Sequence, residues 1–179
     1  MIFSETKLPG TFIVELEPHN DARGFFARAF CEGEMQEHSL QTSFPQCNIS
    51  YNRAIHTLRG MHYNQAEDQE VKLVRCIAGT IYDVVIDLRP QSPTRCQWLG
   101  IELSAHNRRM LYIPKGLAHG FLTLEANTEV FYHMGDFFRP GVDLGVRYND
   151  PAFGVEWPAK PSVISDRDAT YPDWKAETS

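Results

Sequence analysis

The run Val71-Lys72-Leu73-Val74-Arg75-Cys76-Ile77-Ala78-Gly79-Thr80-Ile81-Tyr82-Asp83-Val84-Val85-Ile86-Asp87-Leu88 decides the fold class. Two β-rich stretches flank Ala78-Gly79, and a Gly-containing turn between such stretches is a hairpin signal. Downstream, residues 98–103, 109–114, 117–124 and 129–134 repeat the pattern, separated by the loop Arg89-Pro90-Gln91-Ser92-Pro93-Thr94 and by the turn Lys115-Gly116. Upstream, residues 11–16 read as an opening strand, 18–24 as a turn cluster, 31–40 as room for one short helix and 44–52 as extended chain. Many short strands with regular turns predict an all-β fold, a jelly-roll barrel or sandwich. The tail from Pro140, rich in Pro, Asp and aromatic residues, is expected to wrap it. At 179 residues the chain is expected to form one domain over 1–179.

Strand parity points to chemistry inside this fold. Alternate residues of a strand share a face. Lys72 shares its face with Val74 and Cys76, Asp83 with Val85, and Tyr132 with Val130 and Met134. Charged side chains facing a core are rare unless paired or functional. One such lysine reads as solvent-facing. A Lys, an Asp and a Tyr in one β domain, beside His62 and His119, predict a polar cavity.

The stretch Leu58-Arg59-Gly60-Met61-His62-Tyr63 supplies further groups. Arg59 offers a fixed fork of donors that suits phosphate. His62 can exchange a proton near neutral pH, and Lys72 offers a cation for developing negative charge. Taken alone, Arg59 is a surface charge and His62 a hydrogen-bonded core histidine; the neighbouring segments favour a site.

Composition narrows the class. The formal charge of -6 lacks the basic footprint of nucleic-acid binding, although a local basic pocket for a small anion is compatible with it. No apolar run reaches the ~20 residues that span a bilayer. The first ten residues lack the basic-then-apolar pattern of a signal peptide, so a cytoplasmic location is expected. Cys31, Cys47, Cys76 and Cys96 form no CxxC pair and read as free, mostly buried thiols.

The motifs then converge. Asp21-Ala22-Arg23-Gly24-Phe25-Phe26, Gln46-Cys47-Asn48-Ile49-Ser50, the 58–63 stretch, Lys72-Leu73-Val74-Arg75, Asp83-Val84-Val85-Ile86-Asp87-Leu88-Arg89, Ser92-Pro93-Thr94, Ile113-Pro114-Lys115-Gly116-Leu117-Ala118-His119-Gly120-Phe121, Asn149-Asp150-Pro151 and Ser165-Asp166-Arg167-Asp168 occur in this order. The ordered set resembles the dTDP-4-dehydrorhamnose 3,5-epimerase family of cupin-fold sugar-nucleotide epimerases. The resemblance implies a cupin-type jelly-roll homodimer with no metal and no cofactor. Its substrate would be a nucleotide-linked 4-keto-6-deoxyhexose, in deoxysugar biosynthesis for surface polysaccharide such as lipopolysaccharide O-antigen, or for a natural product. It also implies roles: His62 as base, Asp168 as its orienter, Lys72 at the enolate oxygen, Tyr132 as the acid and Asp83 as a carboxylate near Lys72. Arg23, Arg59 and Arg167 match diphosphate contacts, with Arg23 arriving from the partner subunit. Gln46, Asn48 and His119 match substrate-pocket positions, and Phe26 a nucleotide-pocket position.

Three positions depart from the family pattern. Arg28 stands where a Glu usually accepts a hydrogen bond from thymine. A guanidinium only donates, which favours a base with an acceptor there, so CDP is the expected nucleotide. The alternative is that Arg28 points to solvent and dTDP is bound. Phe138 replaces a second Tyr, which favours inversion at C3 alone over inversion at C3 and C5. Glu70-Val71 stands where Gln-Gly is common, without an evident reason in the sequence.

Rival readings are a metal-dependent cupin, a non-catalytic sugar-nucleotide binder and a keto-isomerase. A metal cupin needs two His two residues apart on one strand. Here Tyr63-Asn64 follows His62, and His56 lies six residues before it, roughly 20 Å along an extended strand. Retention of His62, Asp168, Lys72 and Tyr132 argues against a mere binder. The 59–62 and 165–168 motifs argue against the isomerase.

Overall fold

The computed structural model describes residues 1–64 and 69–175. Among them are β1 (Ile2–Glu5), β2 (Phe12–Glu15), β3 (His19–Asp21), β4 (Gly24–Phe26), α1 (Glu32–Glu37), β5 (Gln46–Asn52), β6 (Leu58–Asn64) and β7 (Lys72–Ala78). There follow β8 (Thr80–Asp87), β9 (Trp98–Ser104), β10 (Met110–Ile113), β11 (Leu117–Thr123), β12 (Thr128–Met134), β13 (Asp143–Gly145) and α2 (Asp166–Ala169). A six-stranded sheet runs β1-β2-β10-β7-β12-β5 and a five-stranded sheet β13-β6-β11-β8-β9. Pairing within both sheets is antiparallel. This is the jelly roll that the strand pattern predicts. No helix among the described residues is long and apolar enough to cross a membrane.

The expected hairpin around Gly79 is a corner between layers. Strand β7 pairs with β10 and β12, whereas β8 pairs with β11 and β9 in the other sheet. Gly79 has φ +72°, and a Cβ there would lie 2.5 Å from Thr128 Oγ1. A positive φ and a close neighbour both require glycine. Local sequence marks the reversal but not which strand each arm pairs with. Because the two arms sit in facing sheets, Val74 and Cys76 meet Ile81 and Val85 in one core with Leu103, Leu111, Phe121 and Val130. Each buried Val, Ile, Leu or Phe side chain among them contributes about 1.5–3 kcal/mol.

The C-terminal tail covers the outer face of the five-stranded sheet. Val146, Phe153, Val155, Trp157 and Trp174 pack against Met61, Val84, Ile86 and Ala118. With both faces covered, β11 is buried along its whole length. Val163 bridges Thr57, and α2 follows directly, so the tail brings Asp168 back to β6. The cysteines are all free, as expected, but only Cys76 is buried. Cys31 and Cys96 are half-buried, and Cys47 is exposed because its side of β5 faces outward.

Candidate active site

The open end of the barrel holds a cavity of about 630 Å³, with an adjoining lobe of about 180 Å³. Both sheets contribute. Strand β6 supplies Arg59 and His62, β11 His119, β7 Lys72, β12 Tyr132 and β5 Asn48. Helix α2 supplies Arg167 and Asp168.

Arg59 and His62 are three residues apart and would lie on opposite faces of a regular strand. A bulge resolves this. His119 pairs with His62 and Phe121 with Arg59, so Gly60 and Met61 stand opposite Gly120 alone. An extra residue in one strand re-aims its side chains. Gly60 has φ +114°, and a Cβ on it would lie 2.6 Å from Gly120 Cα. Glycine at 60 therefore brings the guanidinium and the imidazole onto one wall, while Met61 turns into the outer core.

His62 Nε2 lies 2.8 Å from Asp168 Oδ1, and Asp168 Oδ2 accepts the Gly60 N–H at 3.1 Å. Ser165 caps α2 by accepting the Asp168 N–H at 3.1 Å. Burial alone would raise the Asp168 pKa. The bonds from His62 and Gly60 outweigh burial and hold it below the usual carboxylate range. A second imidazole–carboxylate pair stands alongside, His119 Nε2 to Asp83 Oδ1 at 2.7 Å, with Asp83 fully buried. Tyr132 faces this pair, its ring centroid 6.3 Å from that of His119. Burial first, and the Asp83 charge second, push the phenol's pKa well up, opposed by Ser50 and Arg59. Tyr132 is thus held as a neutral phenol.

The structure brings Asn48, Arg59, His62, Lys72, His119, Tyr132, Arg167 and Asp168 to one cavity, and Gln46 and Phe138 to the adjoining lobe. The Gln46 amide oxygen accepts the Phe138 N–H, and the Phe138 ring is exposed. Asp83 binds His119; the carboxylate near Lys72 is Glu70, whose Oε1 is 3.4 Å from Nζ. Arg23, Phe26 and Arg28 line neither cavity of their own chain. Arg23 and Phe26 project from the β3–β4 hairpin into solvent. Arg28 is paired with Glu34 at 2.7 Å.

Sequence reasoning did not assign Ser165, Tyr171 or Glu70. A Ser three residues before an acidic residue is an N-cap signal that marks Ser165. Tyr171 has no local signal. Its ring lies over Gly145, edge-on to His62 at 6.3 Å and beneath the Arg167 guanidinium at 5.8 Å.

The cavity brings together an imidazole oriented by a carboxylate, a lysine, a neutral phenol and arginines that suit an anion. The family model described as dTDP-4-dehydrorhamnose 3,5-epimerase matches residues 5–176. The chain is 38% identical to the dTDP-4-dehydrorhamnose 3,5-epimerase of Salmonella typhimurium, over 96% of this chain and 94% of that one. It is 41% identical to that of Methanothermobacter thermautotrophicus, over 94% and 92%. Among solved structures, the Elizabethkingia anophelis enzyme of the same name superposes with TM-score 0.94 at 32% identity, covering 99% of this chain and 98% of that one. The Bacillus anthracis enzyme, with TDP and PPi bound, superposes at 0.92 and 36% identity, covering 97% and 99%. A 3'-monoepimerase from Streptomyces bikiniensis, in complex with dTDP-quinovose, superposes at 0.85 and 28%, covering 94% and 85%. Site, fold and likeness along nearly the whole length agree, and the chain is a carbohydrate epimerase that belongs to the dTDP-4-dehydrorhamnose 3,5-epimerase family.

Proposed function

We propose that the chain inverts C3 and C5 of a dTDP-linked 4-keto-6-deoxyhexose, as a dTDP-4-dehydrorhamnose 3,5-epimerase. The observation that carries this is His62 on one sheet, held by Asp168 of α2, facing Lys72 and Tyr132 on the other sheet across one cavity. The 4-keto group acidifies its neighbouring C–H bonds. His62 takes the proton, and the electron pair moves into the C–C bond and onto oxygen. The Lys72 ammonium stabilises that enolate oxygen, where a fixed cation away from water has its largest effect. Tyr132, approaching from the opposite sheet, returns a proton to carbon as the carbonyl re-forms. The phenolate regains a proton from solvent and the His62 imidazolium releases its proton to solvent, which restores both groups. Asp168 holds the His62 imidazole, and His119, held from behind by the buried Asp83, lines the sugar side. Arg59 and Arg167 take the diphosphate. In a homodimer, Arg23 and Phe26 of the exposed hairpin would reach the partner's nucleotide.

The dTDP reading gains over CDP. The relatives and solved structures described above carry dTDP in their names or bound ligands. Within its own chain Arg28 is exposed and engaged by Glu34, outside both cavities. Inversion at C3 alone is a second reading, favoured by one observation. Phe138 stands at the mouth of the smaller lobe without a hydroxyl.

The test is deuterium incorporation by NMR in heavy water, with dTDP- and CDP-4-keto-6-deoxyglucose supplied separately. Deuterium at C3 and C5 from the dTDP sugar, abolished in His62→Ala, is the expected result. Deuterium at C3 alone selects the second reading, and exchange confined to the CDP sugar selects the other base. Exchange that survives His62→Ala, or none with either sugar, overturns the mechanism.

A further inference from the structure

Lys72 enters the cavity at the start of β7, and Glu70 stands beside its ammonium. The Glu70 Oε1 to Lys72 Nζ distance is 3.4 Å, with 10% of the Glu70 side chain and 15% of the Lys72 side chain exposed. An exposed pair of this kind contributes little. This one is shielded from bulk water, where the attraction is less screened.

The backbone that carries Glu70 is itself pinned. The Val71 carbonyl accepts the Gly135 N–H at 2.8 Å, just past the end of β12. The Gln41 amide donates to the Gly135 carbonyl at 2.8 Å and to the Ser43 carbonyl at 2.9 Å. A Cβ at 135 would lie 2.8 Å from the Val71 oxygen and 2.7 Å from the Gln41 amide nitrogen. Only glycine lets these segments close on each other. Glu70 thus rests on a clamped backbone. It lines the smaller lobe with Lys72 and His62 and has no part in the wall of the larger one.

We propose that Glu70 is a positioning residue for the reaction, holding the Lys72 ammonium at the place where the enolate oxygen develops. This rests on the role of Lys72 proposed above. Lysine carries its charge on a flexible four-carbon stem. A catalytic group displaced by about 1 Å can lose on the order of a hundredfold in rate. A fixed acceptor on one side of the ammonium restricts that stem and leaves the remaining N–H donors for the substrate. Glu70 touches Lys72 and acts through it, so its contribution falls on the chemical step rather than on substrate binding.

The test is a double-mutant cycle read as kcat and KM for deuterium exchange with the dTDP sugar. The variants are Glu70→Met, Glu70→Gln, Lys72→Ala and the Glu70→Met/Lys72→Ala pair. Glu70→Met is expected to lower kcat about tenfold with KM within about threefold. Glu70→Gln keeps an oxygen in the same place and is expected to recover most of that loss, which separates positioning from a folding defect. In the Lys72→Ala background, Glu70→Met is expected to add nothing, because the residue it positions is gone. A Glu70→Met loss that persists undiminished without Lys72, that appears in KM alone, or that is absent overturns the proposal while the epimerase reading stands. A wild-type chain that exchanges neither sugar overturns both.

Discussion

Asp168 joins three parts of the site at once. It takes the His62 imidazole on one oxygen and the Gly60 N–H on the other, while its own N–H caps α2 on Ser165. Its lowered pKa keeps it an acceptor at neutral pH. Nε2 of His62 then carries the ring's hydrogen, and Nδ1 is left as the lone pair that takes a proton. Asp168→Asn turns this around. The new amide donates to Nε2 and forces the hydrogen onto Nδ1, so the ring presents a donor where the proposed reaction needs a base. A tautomer error of this kind costs on the order of 10⁴ in rate. The expected outcome is that loss in the deuterium-exchange rate with a folded protein by circular dichroism. A variant within tenfold of wild type would mean that Asp168 does not orient the base.

At the scale of elements, the turn after β8 shows how one buried carboxylate ties two strands. Asp87 accepts from Arg89 at 2.7 and 2.9 Å, from Ser92 Oγ at 2.6 Å and from Thr94 Oγ1 at 2.7 Å. Its backbone carbonyl accepts the Cys96 N–H at 2.8 Å, just ahead of β9. Burial alone would raise its pKa, but these donors together lower it from 3.8 to about 2. A depressed carboxylate stabilises the fold fully above its unfolded pKa, and that share is lost as pH falls through the folded value. The share is about 2 kcal/mol, present above pH ~4 and gone by pH ~2. Urea denaturation between pH 7 and pH 3 is expected to show an acid loss that Asp87→Asn flattens, the variant being already weaker at pH 7. Equal acid dependence in both proteins would remove Asp87 from that limb.

The same element scale separates what was legible in the sequence from what was not. Strands β7 to β12 were legible because β-branched residues alternate between turns, and parity placed Lys72 and Tyr132 beside the core correctly. The partners of β7 and β8 were not, because a corner between layers and a hairpin share the same Gly-containing turn. Short β1 and β13 carry too few residues for a period, and β13 exists because β6 offers it an edge. The cavity positions of His62, Asp168, Arg59 and Arg167 were legible through ordered motifs, whereas Arg23 and Arg28 lie outside the cavity of their own chain. Glu70 was visible only as an oddity, since its meaning depends on Gly135 and Gln41 closing from distant segments.

At the scale of the whole molecule, one part of the proposed site lies outside the cavity of its own chain. Phe26 is 75% exposed on a hairpin, and β5 presents Ile49 at 61% and Tyr51 at 49% on its outward side. Exposed apolar side chains of this kind mark an interaction site where they join into one patch. A second copy of the chain fits the proposed use of Arg23, since the hairpin's own cavity lacks it. Light scattering is then expected to give twice the 20.5 kDa mass of the chain. Mixing experiments separate a mere dimer from a shared site. Arg23→Ala and His62→Ala are each expected to be impaired alone. In a two-fold dimer that draws Arg23 from the partner, every hybrid contains one site with both residues intact and one with neither. After the two variants are unfolded together and refolded, about half of the dimers are hybrids, so about a quarter of the sites recover. If Arg23 acts within its own chain, each hybrid site keeps one of the two lesions and no activity returns. Recovery near a quarter assigns the hairpin to the partner's nucleotide; its absence, with a dimer still measured by light scattering, leaves the hairpin as interface alone.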